Sequence, residues 1–241
     1  MLRGLMAGVL LACALVAQAA PDVKTYIPKN AYPLLPVIKA EVTRIMPEAP
    51  SLGYFGALGE QESCISLTHS RCWLPTSELK TSREQGIGIF QVTRAYKADG
   101  SLRFDALKEI RDKNSAELKE LSWLTVKVRP DLQIRAMVLM INASYDRLFQ
   151  VKDPWARLAM TDAAYNGGDG GVSKERLQCG LTKGCDPQQW FGHVEMIKIK
   201  SQKPIYGTRS PYFINREHVE NDLHLRLPKY EAYFKTSENA K

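Results

Sequence analysis

The sequence predicts a mainly α fold in a single domain, and three observations carry that prediction. Apolar residues recur at three- and four-residue spacing in segment after segment, and sustained alternation of period two is scarce. The breaks between segments are short stretches rich in glycine, proline or cysteine. With 241 residues the chain can bury one full core and is short for two large domains.

Residues 1–19 read as an export leader: Arg3 supplies the positive end, an apolar run extends from Leu5 to Val16, and Ala17-Gln18-Ala19 offers small residues for cleavage. The mature chain then starts near Ala20 or Pro21. The run is too short for a spanning helix, which needs about 20 apolar residues, so no transmembrane segment is expected in the mature chain. Leu10-Leu11-Ala12-Cys13 leaves lipid anchoring through Cys13 as an alternative.

Residues 20–33 lack periodicity and form an extended lead-in. A first helix is expected from Leu34 to Met46, burying Leu35, Ile38, Val42 and Ile45, and ends at Pro47-Glu48-Ala49-Pro50. Ser51 can cap the next helix, which runs to Glu62. The stretch from Cys64 to Gln85 reads as an irregular, bridged loop. Gly86 to Thr93 reads as a strand, or as a glycine-containing segment that lets backbone approach a ligand.

Two short amphipathic helices are expected between Ser101 and Trp123. Asp131 to Phe149, apolar on nearly all sides around Ala136 to Ile141, is the expected central buried helix. Asp153-Pro154 starts another helix in favoured cap and first-turn positions. It ends at Ala163-Ala164-Tyr165-Asn166-Gly167-Gly168, where four glycines in five positions stop it. Beyond Cys185 the reading is mostly helical, with Trp190 and Phe191 buried. The last helix covers Phe213 to Leu225, the domain closes by residue 234, and residues 235–241 form a tail.

Removing Cys13 with the leader leaves Cys64, Cys72, Cys179 and Cys185. Four cysteines allow three pairings, of which the two local loops, Cys64 with Cys72 and Cys179 with Cys185, are the simplest. A zinc site is the alternative, but neither pair has CxxC spacing or a histidine at ligand distance. No metal and no cofactor is expected. Net charge is +7, or +6 once Arg3 leaves, a modest excess that suits an anionic polymer such as cell wall. No nucleic-acid motif accompanies it.

Glu62 is the candidate catalytic residue. At helical spacing Phe55, Leu58 and Glu62 share one face while Glu60 points elsewhere. A carboxyl emerging from an apolar face is partly desolvated, which favours the protonated form and suits a general acid. Gln91 brings a donor and an acceptor that match sugar hydroxyl or acetamide groups.

Three motifs stand in order: Ala57-Leu58 followed by Gln61-Glu62-Ser63, then Gly88-Ile89-Phe90-Gln91, then Ala163-Ala164-Tyr165-Asn166 with its glycines. Together they resemble the soluble lytic transglycosylase family, with a likeness spanning about residues 34–234. The resemblance implies a lysozyme-like, goose-type domain that cleaves the β-1,4 bond between N-acetylmuramic acid and N-acetylglucosamine in peptidoglycan. Glu62 would protonate the glycosidic oxygen and then take a proton from the muramoyl C6 hydroxyl, closing a 1,6-anhydro ring without water. A single carboxylate then suffices where a hydrolase uses two. Ser63 would steady the acid or contact glycan, Gly88 and Gln91 would line the cleft, and Tyr165 and Asn166 would hold substrate beside Glu62.

The chain departs from the family where Cys64 follows the Glu-Ser pair, where the stretch from Glu62 to Gly88 is long, and at Arg216-Glu217-His218-Val219. There His218 stands where a tyrosine is expected, and the alignment places it in the cleft as a titrating group near Glu62. A muramidase with Asp169 positioning water is one competing expectation. A wall-binding component of an envelope-spanning secretion or conjugation machine is another. Peptidoglycan strands are the expected partner and the bacterial periplasm the expected location.

Overall fold

The computed structural model describes residues 20–205 and 207–239; the expected leader, with Arg3 and Cys13, lies outside them. About half of the structure is helical, with one small antiparallel sheet. The helices are α1 (Leu35–Ile45), α2 (Leu52–Ser63), α3 (Ala106–Lys113), α4 (Pro130–Arg147), α5 (Pro154–Gly167), α6 (Asp169–Gly180), α7 (Pro211–Glu220) and α8 (Leu227–Asn239). The strands are β1 (Glu78–Lys80), β2 (Glu84–Ile87), β3 (Val92–Tyr96) and β4 (Leu102–Asp105), paired in chain order as an antiparallel meander.

The sheet corrects the sequence reading in three places. The second half of the expected loop from Cys64 to Gln85 is the β1–β2 hairpin, with Glu78 opposite Ile87. The segment from Gly86 to Thr93 is not one strand: Gly86 and Ile87 end β2, Val92 and Thr93 begin β3, and the four residues between them are the turn. Residues 102–105 form a strand where a helix was expected, leaving α3 as the one α-helix between Ser101 and Trp123. The strands are three to five residues long and mostly half-exposed, so they carry too few side chains to display alternation.

Helix α4 is the shared wall of two cores. Ile134, Met137, Val138, Ile141 and Tyr145 join the main helical core, whereas Leu132 and Ala136 join a smaller one with Ile87, Val92, Leu107 and Val126. Its apolar residues therefore face two sides, as the sequence pattern required.

Helix α2 packs on α8 through Gly53 and Gly56, one turn apart, and on Trp73 through Gly59. A methyl group at Gly56 would lie 2.5 Å from the Tyr230 ring, and one at Gly59 would lie 2.7 Å from the Trp73 ring. At the contact with α8, Glu60 is fully buried. Lys229 Nζ donates to its Oε1 at 2.8 Å and the Tyr230 hydroxyl to its Oε2 at 2.7 Å, with Arg226 Nε 3.3 Å away. Lys229 Nζ also donates to the carbonyls of Val23 and Tyr26, tying the lead-in to α8.

The C-terminal helix does not stop at Leu225. A π-helical segment, Asn221–Arg226, joins α7 to α8. Pro228 supplies the reason: it lacks an N–H and would crowd the carbonyl four residues back, which a wider turn relieves. Two further corrections concern residues 186–205 and 207–210, which are turns and one short 3-10 segment, and Phe191, which is 38 % exposed and stacked on His224 while Trp190 is buried. Both local disulfides form, Cys64 to Cys72 and Cys179 to Cys185. Among the described residues no helix is long and apolar enough to cross a membrane.

Gly56→Ala tests the α2–α8 contact. Alanine favours a helix over glycine by about 1 kcal/mol, yet overpacking against Tyr230 should make the variant less stable by about 1–3 kcal/mol. Urea denaturation reads the difference, and a variant as stable as wild type would show that the ring has room to move.

Candidate active site

Glu62 sits in the last turn of α2, one residue before its end, with 19 % of its side chain exposed. Ser63, beside it, is buried rather than facing a ligand. Its hydroxyl donates to the Gly59 carbonyl at 2.6 Å and accepts the Trp73 N–H at 3.0 Å. With the Cys64–Cys72 bridge, Ser63 fastens the helix end to the loop that follows.

Behind Glu62 stands His218 of α7, 4 % exposed. Its Nε2 lies 2.8 Å from Glu62 Oε1 and its Nδ1 2.8 Å from Asp162 Oδ2 on α5. The Tyr54 hydroxyl donates to the other oxygen of Asp162 at 2.9 Å. Asp222, in the π segment, places Oδ2 3.6 Å from His218 Nδ1, and both its carboxyl oxygens are buried without a hydrogen-bond partner. Burial, then the charge of Asp162, pushes the Asp222 carboxyl well above the usual range. For His218, burial opposes the charged ring, but Asp162 and Asp222 outweigh it and hold the imidazole well above its ordinary value. His218 thus lies next to Glu62, enclosed by acids and buried rather than facing the cleft.

The turn between β2 and β3 borders the site. Gly88 has φ +85°, a conformation that favours glycine, and the space a side chain would take is filled by Gln133 Oε1. Gln133 accepts the Ile89 N–H at 2.9 Å and donates to the carbonyls of Pro75 and Val126. Gly88 thus makes room for Gln133 on that side rather than for a ligand. Gln91 is half-buried with φ +44° and donates to the Gly88 carbonyl at 2.8 Å. Trp73, φ +58°, is the other left-handed non-glycine residue among those described. Such backbone concentrates at functional sites.

Tyr165 joins these parts. Its hydroxyl donates to the Phe90 carbonyl at 2.7 Å, and its phenol is pushed well above its ordinary range by burial first and then by Glu62, Asp162 and Asp222. Tyr165 also lines a groove of about 360 Å³ floored by Met140, Ile141 and Ser144 of α4, with Ile110 of α3 on one wall. Asp169 lines the same groove, where Ser144 and Arg147 bind its carboxylate. Asn166 is exposed, and the buried Asn215 donates to its side-chain oxygen at 3.1 Å and to the Ala163 carbonyl at 2.8 Å.

Asp162, Asp222, Tyr54, Gln133 and Asn215 escaped the sequence reading. One signal was available for two of them: His218 and Asp222 are four apart and share a helix face, and Asp162 interrupts the apolar run from Leu158 to Ala164. Asp162, His218 and Asp222 also form the one group among the described residues with metal-ligand atoms within 4.8 Å of one another. His218 Nδ1 lies 2.8 Å from Asp162 Oδ2, at hydrogen-bond distance.

Comparison with known protein families finds none whose pattern matches this chain, and no curated protein matches it.

Gln133→Leu should leave the Ile89 N–H and the carbonyls of Pro75 and Val126 without partners, at a cost of about 3 kcal/mol. Denaturation gives the stability and hydrogen exchange at Ile89 locates it. Unchanged protection there would show that the turn stands without Gln133.

Proposed function

We propose that the protein is a peptidoglycan lytic transglycosylase with a lysozyme-like domain, acting in the bacterial periplasm, and that Glu62 serves as acid and then base. The observation that carries this reading is the setting of Glu62. It is a carboxyl, 19 % exposed, at a helix end fastened by Ser63 and the Cys64–Cys72 bridge, and its charge acts on Tyr165, which lines a groove of about 360 Å³. The ordered motifs on which the resemblance rests meet around it: Gly88 to Gln91 is bonded to Tyr165 through Phe90, and Tyr165 feels the charge of Glu62. The two disulfides agree with export.

In this reaction Glu62 gives its proton to the glycosidic oxygen as the bond from muramoyl C1 breaks, and the bonding pair leaves with that oxygen. The C6 hydroxyl oxygen then attacks C1 and returns its proton to Glu62. An internal nucleophile gains from proximity over bulk water. Gln91 and Asn166 carry the amide donors and acceptors that would meet sugar hydroxyl and acetamide groups. A secretion or conjugation apparatus that needs local gaps in the wall is the partner this activity suits.

Digestion of purified sacculi, with mass spectrometry of the released muropeptides, tests the proposal. Wild type should release anhydro-muramoyl products, and Glu62→Gln should lower the rate by at least about 100-fold. Reducing ends instead would make the protein a muramidase and direct attention to Asp169. Binding to sacculi without products from wild type would make it a wall-binding module.

A further inference from the structure

If Glu62 is the acid, it must lose a proton and regain one within a single turnover, and His218 is placed to manage that change. We infer that His218 is a standing imidazolium, held by Asp162, that orients Glu62 and steadies its carboxylate between the two proton transfers. The inference rests on the transglycosylase reading for the chemistry and on the geometry alone for the charge.

Both ring nitrogens face carboxyl oxygens at 2.8 Å, Nε2 toward Glu62 and Nδ1 toward Asp162. A neutral imidazole has one N–H and meets both oxygens only if one carboxyl is itself protonated and donates to the bare nitrogen; an imidazolium donates to both. Every element packed against the ring adds to this field. Helix α2 contributes Glu62 and, through Asp162, the hydroxyl of Tyr54; α5 contributes Asp162 and Tyr165; the π segment contributes Asp222, with Arg226 acting on it as the opposing cation. Three carboxyls thus surround one buried ring. The direction of the His218 shift agrees with the charged form.

The consequence for Glu62 is directional. Nε2–H occupies Oε1, which leaves Oε2 as the oxygen offered to substrate. When Oε2 gives up its proton, the new carboxylate already has a charged donor on its other oxygen, and no group must turn to meet it. The proton returned by the C6 hydroxyl goes to Oε2, and His218 keeps its own throughout. His218 is therefore a positioning residue. A tyrosine, the residue the resemblance leads one to expect here, could donate a hydrogen bond but could not carry the charge.

The test uses the mature protein with ¹⁵N-labelled histidine. In wild type the His218 ring should show two protonated nitrogens and no titration between about pH 6 and pH 8. Asp162→Asn should bring its midpoint down into that window. A wild-type His218 that titrates near the ordinary value of about 6.5 overturns the inference.

His218→Gln keeps a neutral N–H for Oε1 and removes the charge, so it separates orientation from electrostatics. Its kcat on sacculi should fall about 100-fold with little change in KM. The alkaline limb of its rate profile should move to higher pH by about one unit, because a neighbouring cation favours the deprotonated acid. An unmoved limb with unchanged kcat would reduce His218 to packing. Failure of the two ideas is distinguishable. The expected spectra without muropeptide release from wild type overturn the reaction and not the ion pair. Anhydro products with an ordinary His218 overturn the ion pair and not the reaction.

Discussion

A carboxylate with no exposed surface, Glu60, sets the orientation of helix α2, and the candidate site depends on that orientation. Taking a charge out of water costs several kcal/mol unless partners replace its hydration. Glu60 meets that requirement only with Lys229, Tyr230 and Arg226 around it. The helix is therefore fixed in its roll about its own axis. Two residues further along is about 200° around a helix, so the roll that buries Glu60 against α8 turns Glu62 to the opposite side. The glycines at positions 53 and 56 let the backbone come close enough for this pairing.

One continuous C-terminal stretch serves both glutamates. Lys229 and Tyr230 of α8 hold Glu60, and His218 of α7 stands behind Glu62. The spacing between these partners is set by the π segment, which Pro228 makes favourable and which carries Asp222 to the ring of His218. The same segment carries Arg226, which lies between Glu60 and Asp222 in influence. A change in this turn would be felt at both acids.

The long helices were legible because their apolar residues repeat at helical spacing over ten or more positions and their caps are marked. Asp153 accepts the N–H groups of Trp155 and Ala156, and Pro211 opens α7 behind Ser210. The sheet was not legible, since its strands are too short to show a period and its turn is held by a distant side chain, Gln133. Helix α6 was hidden because it begins immediately after the glycines that end α5. At the site, the sequence pattern exposed Glu62, Gln91, Tyr165 and Asn166, which sit in recognisable local motifs. It could not expose Asp162, Tyr54 or Asn215, whose roles arise only where α2, α5 and α7 meet. Ser63, whose place beside the acid suggested that it steadies the acid or contacts glycan, spends its hydrogen bonds on the Gly59 carbonyl and the Trp73 N–H.

Glu60 and Glu62 share a helix and differ by one carboxylate's surroundings. Glu60 has charged and hydroxyl donors on both oxygens and no route to solvent, so nothing remains for it to exchange. Glu62 has one oxygen at hydrogen-bond distance from a buried ring, no hydrogen-bond partner on the other among the described residues, and a side chain that keeps 19 % of its surface exposed. A carboxyl in that second state can change protonation without moving, because its position is set by Ser63, the Cys64–Cys72 bridge and Trp73 rather than by its own charge. Holding the group while leaving one oxygen available is the preorganisation that proton transfer needs, and residue type alone would not have told these two glutamates apart.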